Sequence, residues 1–221
     1  MVTTGFSKPI IAKYSNTGST VTYTAPQSLA RGVSLSLDID VADDNNFYAD
    51  NELAETESAS FTSGTATVTV DGMDNDAATV ILGLPEPTNL TVGSPGTTVK
   101  MQGYGQGMNP PFVGFGCVRR TMMNGVTQYW PYILPKVKFG LPSDEMATQE
   151  DQIDWQTQEL TATIFRDDTP AANWKIISEE GMSTEAEAVQ AVNAFFGQAE
   201  TIRMNSLKAA NAVLEEEQEA N

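Results

Sequence analysis

Histidine is absent from all 221 residues, and cysteine occurs once. Without an imidazole the chain lacks the commonest general base and the commonest metal ligand, which excludes most hydrolase triads and nearly all zinc sites. The lone Cys117 admits no intramolecular disulfide, so a secreted disulfide scaffold is excluded and a reducing cytoplasm suits the free thiol. With no histidine to activate it, Cys117 reads as a small buried hydrophobe. Long hydrophobic runs are missing as well. Nowhere do about 18 apolar residues follow one another, and residues 1–12 lack the apolar centre of a secretion signal, so the chain is expected to stay soluble and off membranes. Positive charge is scarce. Twelve Lys and Arg stand against 29 Asp and Glu, giving a net charge of −17, a field that repels nucleic acid, anionic membrane and acidic substrates.

What is present is β-rich. A chain of this length buries roughly 70% of its unfolded surface, enough for a sizeable core. Val33, Leu35, Leu37, Ile39 and Val41 alternate with Ser34, Ser36, Asp38 and Asp40, the period-2 signature of a strand with one buried and one wet face. Thr65 to Val70 alternates likewise and ends on the turn pair Asp71-Gly72. Asp74 as a cap, Ala77, Val80 and Ile81 at helical spacing, Gly83 at the C′ position and Pro85 beyond it predict a short helix over Asn75 to Leu82. Strands are predicted at Val99 to Tyr104, Phe112 to Arg119, Thr127 to Phe139 and Leu160 to Phe165, with Asn124-Gly125 as the strongest hairpin signal. Pro131 and Pro135 interrupt the third of these, which reads as an edge strand, a bent strand, or one whose proline nitrogens face away from the ladder. Around the first of these strands, Gly93 to Gly107 is loop-rich. Thr184 followed by Glu187 fits a capping box, and Val189, Val192 and Phe195 or Phe196 form the apolar stripe of a C-terminal helix that Gly197 interrupts. The class is therefore α+β, mainly β, with a domain over residues 1–197 and an acidic helical or disordered extension over 198–221.

Between the last two strand candidates lies a long acidic arm, Leu141 to Glu159. Connections beyond roughly 12 to 15 residues without structure of their own usually serve function or are disordered. Glu150, Asp151, Ile153, Asp154 and Trp155 are its candidate contact residues: two apolar anchors among carboxylates, with Trp155 either folding back on its own core or meeting another copy. Other constellations carry less. Asp38, Asp40, Asp43, Asp44, Asp50 and Glu52 invite calcium, but an EF-hand begun at Asp38 needs glycine where Asp43 stands and glutamate where Ala49 stands. Gly103 to Gly107 lacks the lysine of a phosphate loop and reads as a flexible hairpin. Carboxylates are abundant, yet no pair is singled out by a reason for a shifted pKa. Arg119, Arg120, Lys136 and Lys138 are read as partners for acidic surfaces of neighbouring copies. No catalytic residue, metal site or cofactor is assigned.

Several stretches, in order, resemble the major tail proteins of long-tailed bacteriophages of Gram-positive hosts. They are Gly5 to Ser15 (GFSKPIIAKYS), Arg31 to Leu37 (RGVSLSL), Asp44 to Glu55 (DNNFYADNELAE), Phe61 to Gly72 (FTSGTATVTVDG), Gly107 to Gly114 (GMNPPFVG) and Pro142 to Asp168, the most distinctive. The resemblance spans residues 5–196 and stops near Gly197. It implies a tail-tube β-sandwich or barrel with one short internal helix, a long inter-strand arm and a C-terminal helix. It further implies a non-enzymatic virion protein, assembled in the host cytoplasm into hexameric rings that stack as the tail tube. Its partners would be further copies and the tape-measure, terminator and distal tail proteins, with DNA passing through unbound. Acidic walls agree with that role, because they repel phosphates within a Debye length of roughly 8 Å. Two alternatives stay open: another virion β-sandwich, such as a terminator or a capsid decoration protein, and a soluble carbohydrate-binding sandwich using Tyr129, Trp130 and Trp155.

Overall fold

Alternation of apolar and polar side chains gives a strand one dry and one wet face, and this rule, repeated, builds the protein. The computed structural model describes residues 2–43, the backbone of 45–49 and 52–57, and residues 60–93, 96–143 and 156–197. The strands are β1 (Val2–Thr17), β2 (Thr20–Ser28), β3 (Gly32–Val41), β4 (Asn45–Ala49), β5 (Glu52–Glu57) and β6 (Phe61–Val70), then β7 (Thr88–Val92), β8 (Thr97–Met101), β9 (Val113–Met123), β10 (Val126–Phe139), β11 (Gln158–Phe165) and β12 (Ile176–Ile177). Two helices complete them, α1 (Asn75–Leu82) and α2 (Glu185–Gly197). An eight-stranded antiparallel sheet forms the body in the order β2, β1, β9, β10, β11, β6, β3, with β12 pairing β10. The fold is mainly β, as the patterning requires.

In β3 the expected alternation holds at its centre. Leu35, Leu37 and Ile39 are half-buried while Ser36, Asp38 and Asp40 are exposed, but Val33 and Val41 at its ends stay open to solvent. The helix predicted from its caps forms over the same residues. Asp74 accepts a hydrogen bond from the Ala77 amide at 2.8 Å, and Gly83 takes the left-handed conformation, φ 60°, donating to the Thr79 carbonyl. Asn124 and Gly125, both at positive φ, turn β9 into β10. At α2 the capping box is reciprocal: the Glu187 amide donates to Thr184 Oγ1 at 3.3 Å and the Thr184 amide donates to the Glu187 carboxylate at 3.1 Å.

The edge-strand option for the proline-bearing segment is overturned. β10 is central, between β9 on one side and β11 with β12 on the other. In an antiparallel ladder a residue's nitrogen and carbonyl point to the same side. Pro131's carbonyl accepts from Ser178, so its nitrogen faces the place where β12 stops, not β9. Pro135 falls in the register shift between Leu134 and Val137, where β10 exchanges β12 for β11 as its neighbour. The ladder thus never asks either proline for a donor.

The sheet has two covered faces. On one, Phe115, Cys117, Leu134, Phe139, Val68, Leu160 and Ile164 pack with Ile81 and Leu82 of α1 in the main core. On the other, Ile10, Ala12 and Ile133 meet Val192 and Phe196 of α2. Gly114 and Gly116 make that second contact close: a Cβ on Gly116 would lie 2.5 Å from Val192 Cγ1, and one on Gly114 2.5 Å from the Phe196 ring. Around the main core the sheet curls, bringing β3 back to the first half of β1, where the Phe6 ring lies against Gly32.

Candidate assembly surfaces

The arm is rooted inside a hairpin. β10 and β11 pair from Lys136 opposite Phe165 to Phe139 opposite Ala162, and the Gly140 amide closes the ladder on the Thr161 carbonyl at 2.8 Å. From that closure the chain leaves through Leu141, 72% exposed, and returns through exposed Gln156 and Thr157. Glu150, Asp151, Ile153, Asp154 and Trp155 lie outside the described residues. Leu160, Ala162 and Ile164 are buried and Thr161 and Thr163 are not, as predicted for the body, but Gln158 and Glu159, read as the end of the arm, already pair with Val70 and Thr69 of β6.

A second projection was half expected: the strand predicted at Val99 to Tyr104 forms as β8 but runs from Thr97 to Met101, and its partner β7 had no counterpart in the sequence reading. β7 and β8 pair with each other alone, every residue of both is exposed, and Leu90 stands opposite Val99, Val92 opposite Thr97 and Thr88 opposite Met101. Opposed residues and their second neighbours share a face. Leu90, Val92, Val99 and Met101, each 40–54% exposed, therefore form one apolar, solvent-facing side of a hairpin that pairs with no other strand. The signal available for β7 was the alternation of Leu90 and Val92 with Thr91 just before Gly93, a run too short to stand out on its own. Gly103 to Gly107 is not a hairpin but the loop between β8 and β9, with one turn in which Met108 donates to the Gly105 carbonyl.

A seam in the sheet is the third feature. Residues 2–7 of β1 pair with β9 only, since β2 joins β1 from Ile10 onward, and β3 pairs with β6 only. Between these two free edges lies a groove of about 460 Å³ floored by Phe6, Leu35, Leu37, Cys117 and Tyr132, with Val33 and Arg119 on its walls. Burial pushes the Tyr132 phenol up to about 12 and the Cys117 thiol well above its ordinary range, so both stay neutral at physiological pH and leave the buried bottom of the groove uncharged. Arg119 leans over the Trp130 ring at 5.9 Å, and its Nε is buried without a hydrogen-bond partner in the protein.

The basic residues sort differently from the expectation. Lys136 is spent within its own chain: its Nζ donates to the Asp168 carboxylate at 2.7 Å, which also accepts from the Tyr14 hydroxyl at 2.7 Å. These two hydrogen bonds and the ammonium charge hold the Asp168 carboxyl below the usual carboxylate range, while burial and the hydrogen bond to Asp168 raise the Tyr14 phenol. Lys138 lies 5.7 Å from the Phe112 ring. Arg31 pairs with Asp71, the turn residue after β6; although burial opposes it, that pairing lowers the Asp71 carboxyl.

Of the acidic stretch, Asp38, Asp40 and Asp43 are described and exposed, and Asp40 accepts from the Ser63 hydroxyl at 2.9 Å. Among the described residues no three carboxylate or thiol groups converge as metal ligands would. Trp130 is no open stacking platform, because its Nε1 donates to Thr121 at 2.9 Å, Arg119 lies over it and Gly181 abuts its edge. Among the described residues no helix is long and apolar enough to cross a membrane. No protein-family model matches the chain, and no curated protein matches it significantly.

Proposed function

We propose that this chain is a self-assembling structural protein of a bacteriophage tail. Copies join as hexameric rings, and the rings stack into the hollow tube through which the genome leaves the virion. The observation that carries this reading is the collinear series of tail-protein-like segments between residues 5 and 196. Three of them, Arg31 to Leu37, Phe61 to Gly72 and the end of Pro142 to Asp168, fall on β3, β6 and β11, which lie side by side in the sheet. Those three segments thus share one continuous part of the sheet.

The physics supports the same reading. A −17 chain repels polyanions, which suits a conduit through which DNA must slide without sticking. Like charge also opposes assembly, so subunits need extensive apolar or strand-paired contacts; obligate interfaces often bury roughly 2,000 Å² or more. The arm, the β7–β8 hairpin and two free sheet edges supply such contacts. The tape-measure, terminator and distal tail proteins would be its further partners in the virion, and no catalytic step is assigned to it. Sedimentation velocity of the purified chain tests the reading: species of six copies and larger are expected, and a monomer across the accessible concentration range would refute it.

A further inference from the structure

Acid is distributed unevenly along the chain. From Pro87 to Ser143 there is no Asp or Glu, only the cations Lys100, Arg119, Arg120, Lys136 and Lys138, so all 29 carboxylates lie elsewhere. That acid-free stretch includes the whole β7–β8 hairpin with its exposed apolar side. A two-stranded hairpin alone is marginally stable in water, and an apolar side left open adds to the cost. The seam between β1 and β3 has the opposite character. It offers free strand edges, an apolar floor, the exposed carboxylates of Asp38 and Asp40 further along β3, and a buried Arg119 Nε with no acceptor.

Resting on the self-assembly reading, we propose that the β7–β8 hairpin of one copy docks on the β1–β3 seam of the next. One hairpin strand extends the sheet along the free edge of β3, main chain to main chain. Leu90, Val92, Val99 and Met101 cover the floor formed by Phe6, Leu35 and Leu37, and an incoming carbonyl supplies the acceptor for Arg119. Charge selects the occupant: the hairpin brings Lys100 and no carboxylate to an acidic strand, whereas most other surfaces of a −17 chain would bring like charge. Knob and groove are different surfaces of the same chain, so the contact is head-to-tail, the kind that closes into rings or propagates as filaments.

The test uses two full-length variants with exposed changes. Leu90→Asp/Val99→Asp spoils the hairpin and keeps the seam; Val33→Lys spoils the seam and keeps the hairpin. Each is expected to weaken self-association roughly 100-fold or more, as loss of central apolar anchors does, while far-UV circular dichroism stays as in the unmodified chain and melting does so at dilutions where neither assembles. Mixed one to one, the two retain a single intact hairpin–seam pair and are expected to form capped 1:1 dimers by light scattering. As a second readout, a chain carrying Leu90→Cys and Val33→Cys is expected to give a ladder of covalent multimers with a short bis-maleimide. Variants that assemble like the unmodified chain, mixtures without dimers, or no ladder overturn the docking while leaving the tube reading standing. An unmodified chain that never assembles overturns both.

Discussion

Replacing Phe196 by alanine probes how α2 is held to the sheet. The ring is fully buried, 5.0 Å from Tyr23 and 5.5 Å from Phe195 by ring centroids, over the trough that Gly114 and Gly116 leave open. Phe to Ala in a core typically costs about 3–5 kcal/mol, set by how far the neighbours collapse into the space. Phe195 is only half-buried and can close inward, which favours the lower half of that range even though Tyr23 is tethered through its hydroxyl to the Pro135 carbonyl at 3.0 Å and the trough is rigid backbone. Against a total stability of about 5–15 kcal/mol the loss is large. At about 2–4 °C per kcal/mol for a protein of this size it corresponds to a fall in Tm of about 6–16 °C. Urea titration of dissociated subunits gives the free energy, and amide exchange across residues 185–197 locates it. A loss below about 1 kcal/mol with α2 amides still protected would refute the packing argument, because the ring could not then be the wedge that fastens the helix.

Gly83→Ala places a Cβ 2.2 Å from the Asn109 carbonyl oxygen at φ 60°, so a loss of about 1–3 kcal/mol is expected in the same titration, and a neutral effect would count against the described cap. Asp168→Asn tests linkage. The folded-state carboxyl lies below its unfolded value, so its contribution is present above about pH 4 and lost as pH falls through the folded value. The group is about a third exposed, so the contribution should be on the order of 0.5–1 kcal/mol at pH 7, and the variant should show a correspondingly shallower acid limb. Equal acid limbs would refute the pairing. Cys117, at 1% exposure with its thiol raised by burial, should resist iodoacetamide in native protein at pH 8 and react promptly in urea; prompt native labelling would contradict its place on the core side of β9.

Local chemistry was legible wherever it is self-sufficient. The caps at Asp74 and Gly83 and the reciprocal Thr184–Glu187 pair specify their helices with residues a few positions apart, and Asn124-Gly125 specifies its turn the same way. Strands with clean alternation, β3, β6 and β11, were legible for the same reason. β1 and β2 were not. Register shifts at Thr3/Gly5 and Ser7/Ile10, with Lys8 and Ala25 at positive φ, break the period-2 pattern that marks a strand. The central place of β10 was hidden because its prolines look like edge residues until the neighbours are known to stop and exchange at those two points. Of the candidate contact surface, the sequence singled out the arm by its length. The seam has no local signature at all, since Phe6, Leu37, Cys117 and Tyr132 meet only when the sheet curls. Of the hairpin, the second strand was read from Val99 onward, while β7 is short and bounded by Pro87 and Gly93, which favour a loop reading.

Assembly into stacked rings is the property to measure first. Electron microscopy of the purified full-length chain, concentrated at neutral pH and moderate salt to screen its −17 charge, should show stacked rings with open centres in end-on views. Particles no larger than a single subunit under those conditions would contradict it.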